Sequence, residues 1–228
     1  MPSYIVKYAK VGPARFLSHL ELVRLFERAL RRAQLPVKYS QGYNPRPAIS
    51  FAAPLEVGAS SEGELMQMEM VTFGRPGEVR ERLQAQMPEG LEVLQVVPAA
   101  QEGRSLMARV EGAAWRVWLQ TAAGAVEDKS VREAIDRVLA AASLPVERTT
   151  PKGTKVKDIR PGIYELRGEG QSGGVSLEMV LAAGSRLHVR PEEVCQQLAA
   201  RGDLPLKAVR SHRLALLTRE REQWLPLG

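Results

Sequence analysis

The sequence predicts an α+β protein of two tandem ferredoxin-like (βαββαβ) domains, at about 1–100 and 105–228. Three observations predict it. Strand, helix, strand, strand, helix and strand signals succeed one another between Ser3 and Pro98. The same order of signals recurs between Trp115 and Leu216. The stretch "PAAQEGRS", Pro98–Ser105, has linker composition and separates the two series. The elements repeat in order; the residues themselves do not.

The first strand is "SYIVKYA", aromatic and β-branched with near alternation. A helix follows from Ser18 to about Gln34. Ser18-x-x-Glu21 is a capping box, and Leu17 and Leu22 stand at the spacing of a hydrophobic staple. Leu22, Phe26, Ala29, Leu30 and Ala33 form the apolar stripe, while Arg24, Arg28, Arg31 and Arg32 lie off it. Pro36 ends the helix. "AISFA" and "ELMQMEMVTF" read as strands joined by the polar loop "GASSEGE". Met66, Met68 and Met70 share one face of the second, which fits core packing. "RPGEVRERLQAQM" is a helix and "GLEVLQVVP" the closing strand.

In the second series "WRVWLQTA" places Trp115 and Val117 on one face and Trp118 on the other. "SVREAIDRVLAAA" turns Val131, Ile135, Val138 and Leu139 inward. Strands at about Val146–Thr150, "GIYELRG" and "VSLEMVLAA" precede the helix "RPEEVCQQLAA", with Pro191 near its first turn. "LKAVRSHRLAL" closes the series.

The 228 residues carry a net charge of +6, unevenly spread. Residues 1–50 hold nine Lys/Arg against two Glu, a net of +7, whereas residues 51–100 hold three Arg against eight Glu, a net of −5. A second basic cluster is Arg148, Lys152, Lys155, Lys157 and Arg160 against Asp158 alone. Two separated clusters point to a polyanionic partner, of which phosphate backbones are the commonest. No apolar run approaches the ~18 residues of a membrane span, and "MPSYIVKYAK" lacks a secretory apolar core. A cytoplasmic protein without a membrane partner is expected.

Little in the chain supports a self-contained enzyme. The three histidines, His19, His188 and His212, are scattered, and no C-x-x-C or P-loop is present. One cysteine, Cys195, excludes an intramolecular disulfide and falls short of the thiolates a Fe–S cluster needs. No metal or cofactor is expected.

Two segments have binding chemistry. In "KYSQGYNPRP", Lys38–Pro47, Gly42 allows a tight turn and Pro45 and Pro47 force Asn44 and Arg46 toward extended backbone. Tyr39 and Tyr43 offer rings for base stacking, and Lys38 and Arg46 offer phosphate or bidentate contacts. The alternative is that both rings pack on the first helix and Arg46 pairs with a nearby Glu. The second segment is the basic loop 151–161, "PKGTKVKDIRP". There Lys152, Lys155 and Lys157 precede Arg160, which Asp158 is placed to orient, and the alternative is an exposed hairpin.

The block "FLSHLELVRLFERALRRAQLPVKYSQGYNPRPAISFAAPLEVGASSEGE", with "KVKDIRPGIYEL" and "LHVRPEEV", resembles the radical SAM-linked protein family, an uncharacterised bacterial group. The resemblance spans nearly the whole chain. It implies a partner module for a radical SAM protein on a separate chain, in tRNA, rRNA or ribosome modification. The leading expectation is therefore a non-catalytic RNA-binding adaptor that presents an RNA or ribosomal substrate to that enzyme. Its RNA-binding residues would be Lys38, Tyr39, Tyr43, Asn44, Arg46, Lys152, Lys155, Lys157, Asp158 and Arg160. A looser, architectural similarity is to the CRISPR-repeat-processing endoribonucleases, some of which cleave without metal through a His near the first helix. It implies a catalytic His19 with Tyr39 or Tyr43. Those enzymes carry a glycine-rich loop near the C-terminus, which "SHRLALLTREREQWLPLG" lacks. A protein-only interaction subunit is the third alternative.

Overall fold

Ser3–Lys10 forms strand β1 because its alternation buries Tyr4, Val6 and Tyr8 on one face. The structure, a computed structural model, describes residues 1–99, 104–121, 126–150, 153–202 and 206–227. Half of the expected linker 98–105, residues 100–103, thus falls outside the described residues. The protein is α+β and divides into two compact units. One is Met1–Glu111 with Ala215–Gly228; the other is Gly112–Leu214. The expected second domain ran to 228, whereas the C-terminal segment groups with the first unit.

In the first unit β1 leads through a 3-10 turn, Gly12–Phe16, into α1 (His19–Arg32). The Ser18 hydroxyl accepts from the Glu21 N–H, and the Glu21 carboxylate accepts from the Ser18 N–H at 2.8 Å, which completes the capping box. Leu22 is in the core with Leu17 packed against it, as the staple spacing predicts. β2 (Ile49–Phe51), β3 (Ser60–Glu69), α2 (Pro76–Gln84), β4 (Leu91–Pro98) and a short α3 (Leu106–Arg109) follow. β1 lies between β4 and β3, and β2 pairs with β3, every pairing antiparallel. The register sets Tyr4 opposite Met68 and Val6 opposite Met66. Met66, Met68 and Met70 are core residues, in one buried cluster with Phe26 and Leu30 of α1. β3 begins at Ser60, so most of "GASSEGE" is strand and not loop. Ser61, Gly63 and Glu64 are buried there, and small or polar residues hide such a strand from an apolar pattern.

The second unit runs β5 (Gly112–Thr121), α4 (Asp128–Ala140), β6 (Pro145–Thr150), β7 (Gly153–Asp158), a 3-10 turn at Arg160–Gly162, β8 (Ile163–Gln171), β9 (Gly174–Ala182), α5 (Pro191–Gly202) and β10 (Leu206–Glu220). β9 lies between β5 and β8, antiparallel to both, with β10 beyond β5. Trp115 and Val117 are buried and Trp118 is exposed, as the alternation predicts. Val131, Ile135 and Val138 turn inward from α4, which packs on α5 and β8, while Leu139 is only partly buried. β10 runs four residues past the predicted end, and its last residues pair with β11 (Gln223–Pro226) in the first unit.

Candidate nucleic-acid interface

Loop 38–47 is a closed, hydrogen-bonded excursion. The Lys38 N–H donates to the Glu69 carbonyl and the Ala48 N–H to the Lys38 carbonyl, at 2.9 and 2.7 Å. Further out, the Ser40 N–H donates to the Arg46 carbonyl at 2.8 Å, and the Arg46 N–H to Ser40 Oγ at 3.0 Å. Tyr39 and Pro47 bridge across the neck. Gly42 has φ of +140° at the tip, a conformation that favours glycine. These bonds fix the tip and leave its side chains outside. Tyr43 is 100% exposed and Tyr39 36%, so neither ring is buried as the packing alternative expected. Asn44 and Arg46 are exposed too, and among the described residues no hydrogen bond or ion pair holds the Arg46 guanidinium. Lys38 differs: its Nζ pairs with Glu69 at 2.6 Å, both side chains about two-fifths exposed.

His19, the first residue of α1, is exposed and stands edge-on to Phe51 at 5.4 Å between ring centres. Among the described residues, no hydrogen bond or ring contact joins it to Tyr39 or Tyr43. The same helix exposes Arg24, Arg28 and Arg31, which the sequence had marked only as off the apolar stripe. Their i, i+4, i+7 spacing was the signal available for treating them as a unit.

In the second unit the expected basic loop 151–161 is largely a strand. β7 pairs with β6 in a separate two-stranded sheet, with Lys155 opposite Arg148 and Lys157 opposite Val146, and the Arg160 turn follows. Lys152 lies outside the described residues. Lys155 is exposed, but Lys157 reaches inward and its Nζ donates to the His188 carbonyl at 2.8 Å. Burial and then the nearby Arg148 charge lower the Lys157 pKa. Asp158 accepts from the Leu144 and Arg160 backbone N–H groups at 2.8 and 2.9 Å, and these bonds lower its pKa. The Arg160 guanidinium donates to the Leu139 carbonyl through Nε and Nη2, at 3.1 and 2.8 Å, and to the Ile163 carbonyl at 3.2 Å. Arg160 therefore satisfies the Leu139 carbonyl in the last turn of α4, where a helix leaves acceptors without intrahelical partners.

Beneath the ribbon, Arg148 grips Glu193 through Nε at 2.5 Å and Nη2 at 2.7 Å, and Nη2 also donates to the His188 carbonyl. Burial alone would raise the Glu193 pKa, but the hydrogen bonds from Arg148 and the Arg190 N–H hold it below its ordinary value. His188 is pushed down to about 4, first by burial and then by the charges of Arg148, Arg213, Arg190 and Lys157. Burial pushes the Cys195 thiol up, away from reactivity. No group of His, Cys, Asp and Glu among the described residues is placed to hold a metal ion. No described helix is long and apolar enough to cross a membrane.

A family model described as "Uncharacterized protein conserved in bacteria (DUF2344)" matches residues 3–191, and the chain belongs to that family. The description names no activity. No curated protein matches the chain. Among solved structures, "Crystal Structure of an Unknown Protein from Galdieria sulphuraria" is 12% identical over 93% of this chain and 98% of that one. Its TM-score of 0.29 carries no argument.

Proposed function

We propose that this member of the bacterial DUF2344 family is a non-catalytic, cytoplasmic RNA-binding adaptor that presents an RNA or ribosomal substrate to a separate radical SAM enzyme. The observation that carries the RNA part is the tip of loop 38–47. There a fully exposed Tyr43 stands three residues from an Arg46 whose guanidinium has no partner among the described residues, on backbone braced by its own hydrogen bonds. A ring held in water gains nothing from folding. It gains from stacking on a base, and a braced backbone loses less entropy when it does so. The radical SAM part rests on the resemblance of residues 16–64.

We also read each unit as ferredoxin-like. The strand orders β4-β1-β3, with β2 on β3, and β10-β5-β9-β8 support this reading, with the β6–β7 ribbon inserted in the second.

Titrating labelled structured RNA over a salt series tests the proposal. Neutralising about four phosphates gives a log–log slope near −3 to −4. Salt-independent binding, or none at low salt, contradicts the RNA reading and leaves the protein-only subunit. Metal-free cleavage that His19→Ala abolishes would replace the adaptor with the endoribonuclease. Recovery of a radical SAM protein with the tagged chain from its host tests the enzyme partner separately.

A further inference from the structure

We propose that the outer face of α1 is a second RNA contact, a ridge of Arg24, Arg28 and Arg31 that tracks the phosphates of a duplex stem. The inference rests on the RNA-binding reading and names its substrate class: a stem adjoining the unpaired bases taken by loop 38–47. At 3.6 residues per turn the three arginines fall within about 60° of one another around the helix. Successive members are about 4.5–6 Å apart along the axis.

All three are exposed, and among the described residues none of their guanidinium groups makes a hydrogen bond or ion pair. Several arginines of other helices are paired within their own helix, though among the described residues Arg80 of α2 and Arg109 of α3 are not. α2 pairs Arg82 with Glu78, and α4 pairs Arg132 with Asp128 and Arg137 with Glu133. On α1 the nearby Glu21 gives a carboxylate oxygen to the Ser18 N–H and hydroxyl. Arg32 is taken by Gln86, through its side-chain and backbone oxygens. Arg24 acts on Glu21 only through its charge, so the ridge has no guanidinium taken up by a hydrogen bond or ion pair among the described residues. Its opposite face is pinned, since Leu22, Phe26, Ala29 and Leu30 are all buried. A row of guanidinium forks on a rigid helix suits a backbone that is itself regular, because neither backbone must be ordered on binding and only the side chains lose freedom. A flexible single strand would have to be straightened to meet it.

The test uses the full chain with R24Q/R28Q/R31Q and, as a milder change, R28Q. The probes are an RNA hairpin with a single-stranded extension and that extension alone. The triple substitution is expected to weaken hairpin binding and to make its salt slope shallower by about two to three, and R28Q by about one. Binding of the lone extension stays unchanged. An unchanged hairpin slope in both variants overturns the ridge while the RNA reading stands. Equal losses on hairpin and extension overturn the duplex assignment. A wild-type chain that binds neither probe overturns the RNA reading itself.

Discussion

Acidification from pH 7 to pH 5 is expected to destabilise the second unit through His188. Its ring is partly buried among Arg148, Lys157, Arg190 and Arg213, and its pKa sits at about 4 against 6.5 for a free histidine. At pH 7 the ring is neutral in the folded chain and mostly neutral in the unfolded one, and contributes little pH dependence. Below 6.5 the unfolded chain takes up a proton that the folded chain refuses, so stability falls as pH falls, down to about 4. At pH 5 the unfolded histidine is 1.5 pH units below its pKa, worth about 2 kcal/mol at 1.36 kcal/mol per unit. Partial solvent access trims this to about 1–2 kcal/mol. Glu193 has its pKa held down, so its own contribution is lost only at more acid pH. Urea denaturation of wild type and His188→Gln at pH 7 and pH 5 measures the difference. The variant should lose about 1–2 kcal/mol less than wild type across that interval. Equal losses in the two proteins would refute the assignment of the proton uptake to His188.

Arg160→Ala removes three hydrogen bonds to the Leu139 and Ile163 carbonyls. It should cost about 1–3 kcal/mol in urea denaturation and leave the salt slope of RNA binding unchanged. Arg148→Ala strands the mostly buried Glu193 carboxylate, and with Arg148 itself 23% exposed the expected loss is about 2–4 kcal/mol by the same assay. Tyr43→Ala should leave the melting temperature unchanged and weaken RNA binding about 5- to 150-fold in anisotropy titrations, the effect of losing one stacking platform.

Where a segment packs on a core, its sequence announces it. The capping box and staple of α1, the inward methionines of β3 and the two faces of β5 follow from local spacing alone. Strand β7 does not, because "GTKVKD" pairs with its own neighbour in a separate sheet and buries none of its residues fully. The grouping of Ala215–Gly228 with the first unit is likewise a long-range choice that local pattern does not encode. At the candidate site, composition identified loop 38–47 and its bare rings, but left packing and exposure as alternatives. Which cations are spent internally was not legible. Lys157 and Arg160 look as available as Lys155 in sequence, yet both donate to backbone carbonyls that other segments bring to them. Arg24, Arg28 and Arg31 of α1 were legible by spacing, and that no partner among the described residues holds their guanidinium groups became visible only in the structure.

The most direct test of the central claim is ultraviolet crosslinking of the native protein to RNA in its host, with mass-spectrometric mapping of the attached nucleotide. The account predicts a crosslink at Tyr43 or Tyr39, in the segment Lys38–Pro47, that Tyr43→Ala diminishes. RNA crosslinked only elsewhere, or no crosslink at all, would contradict it.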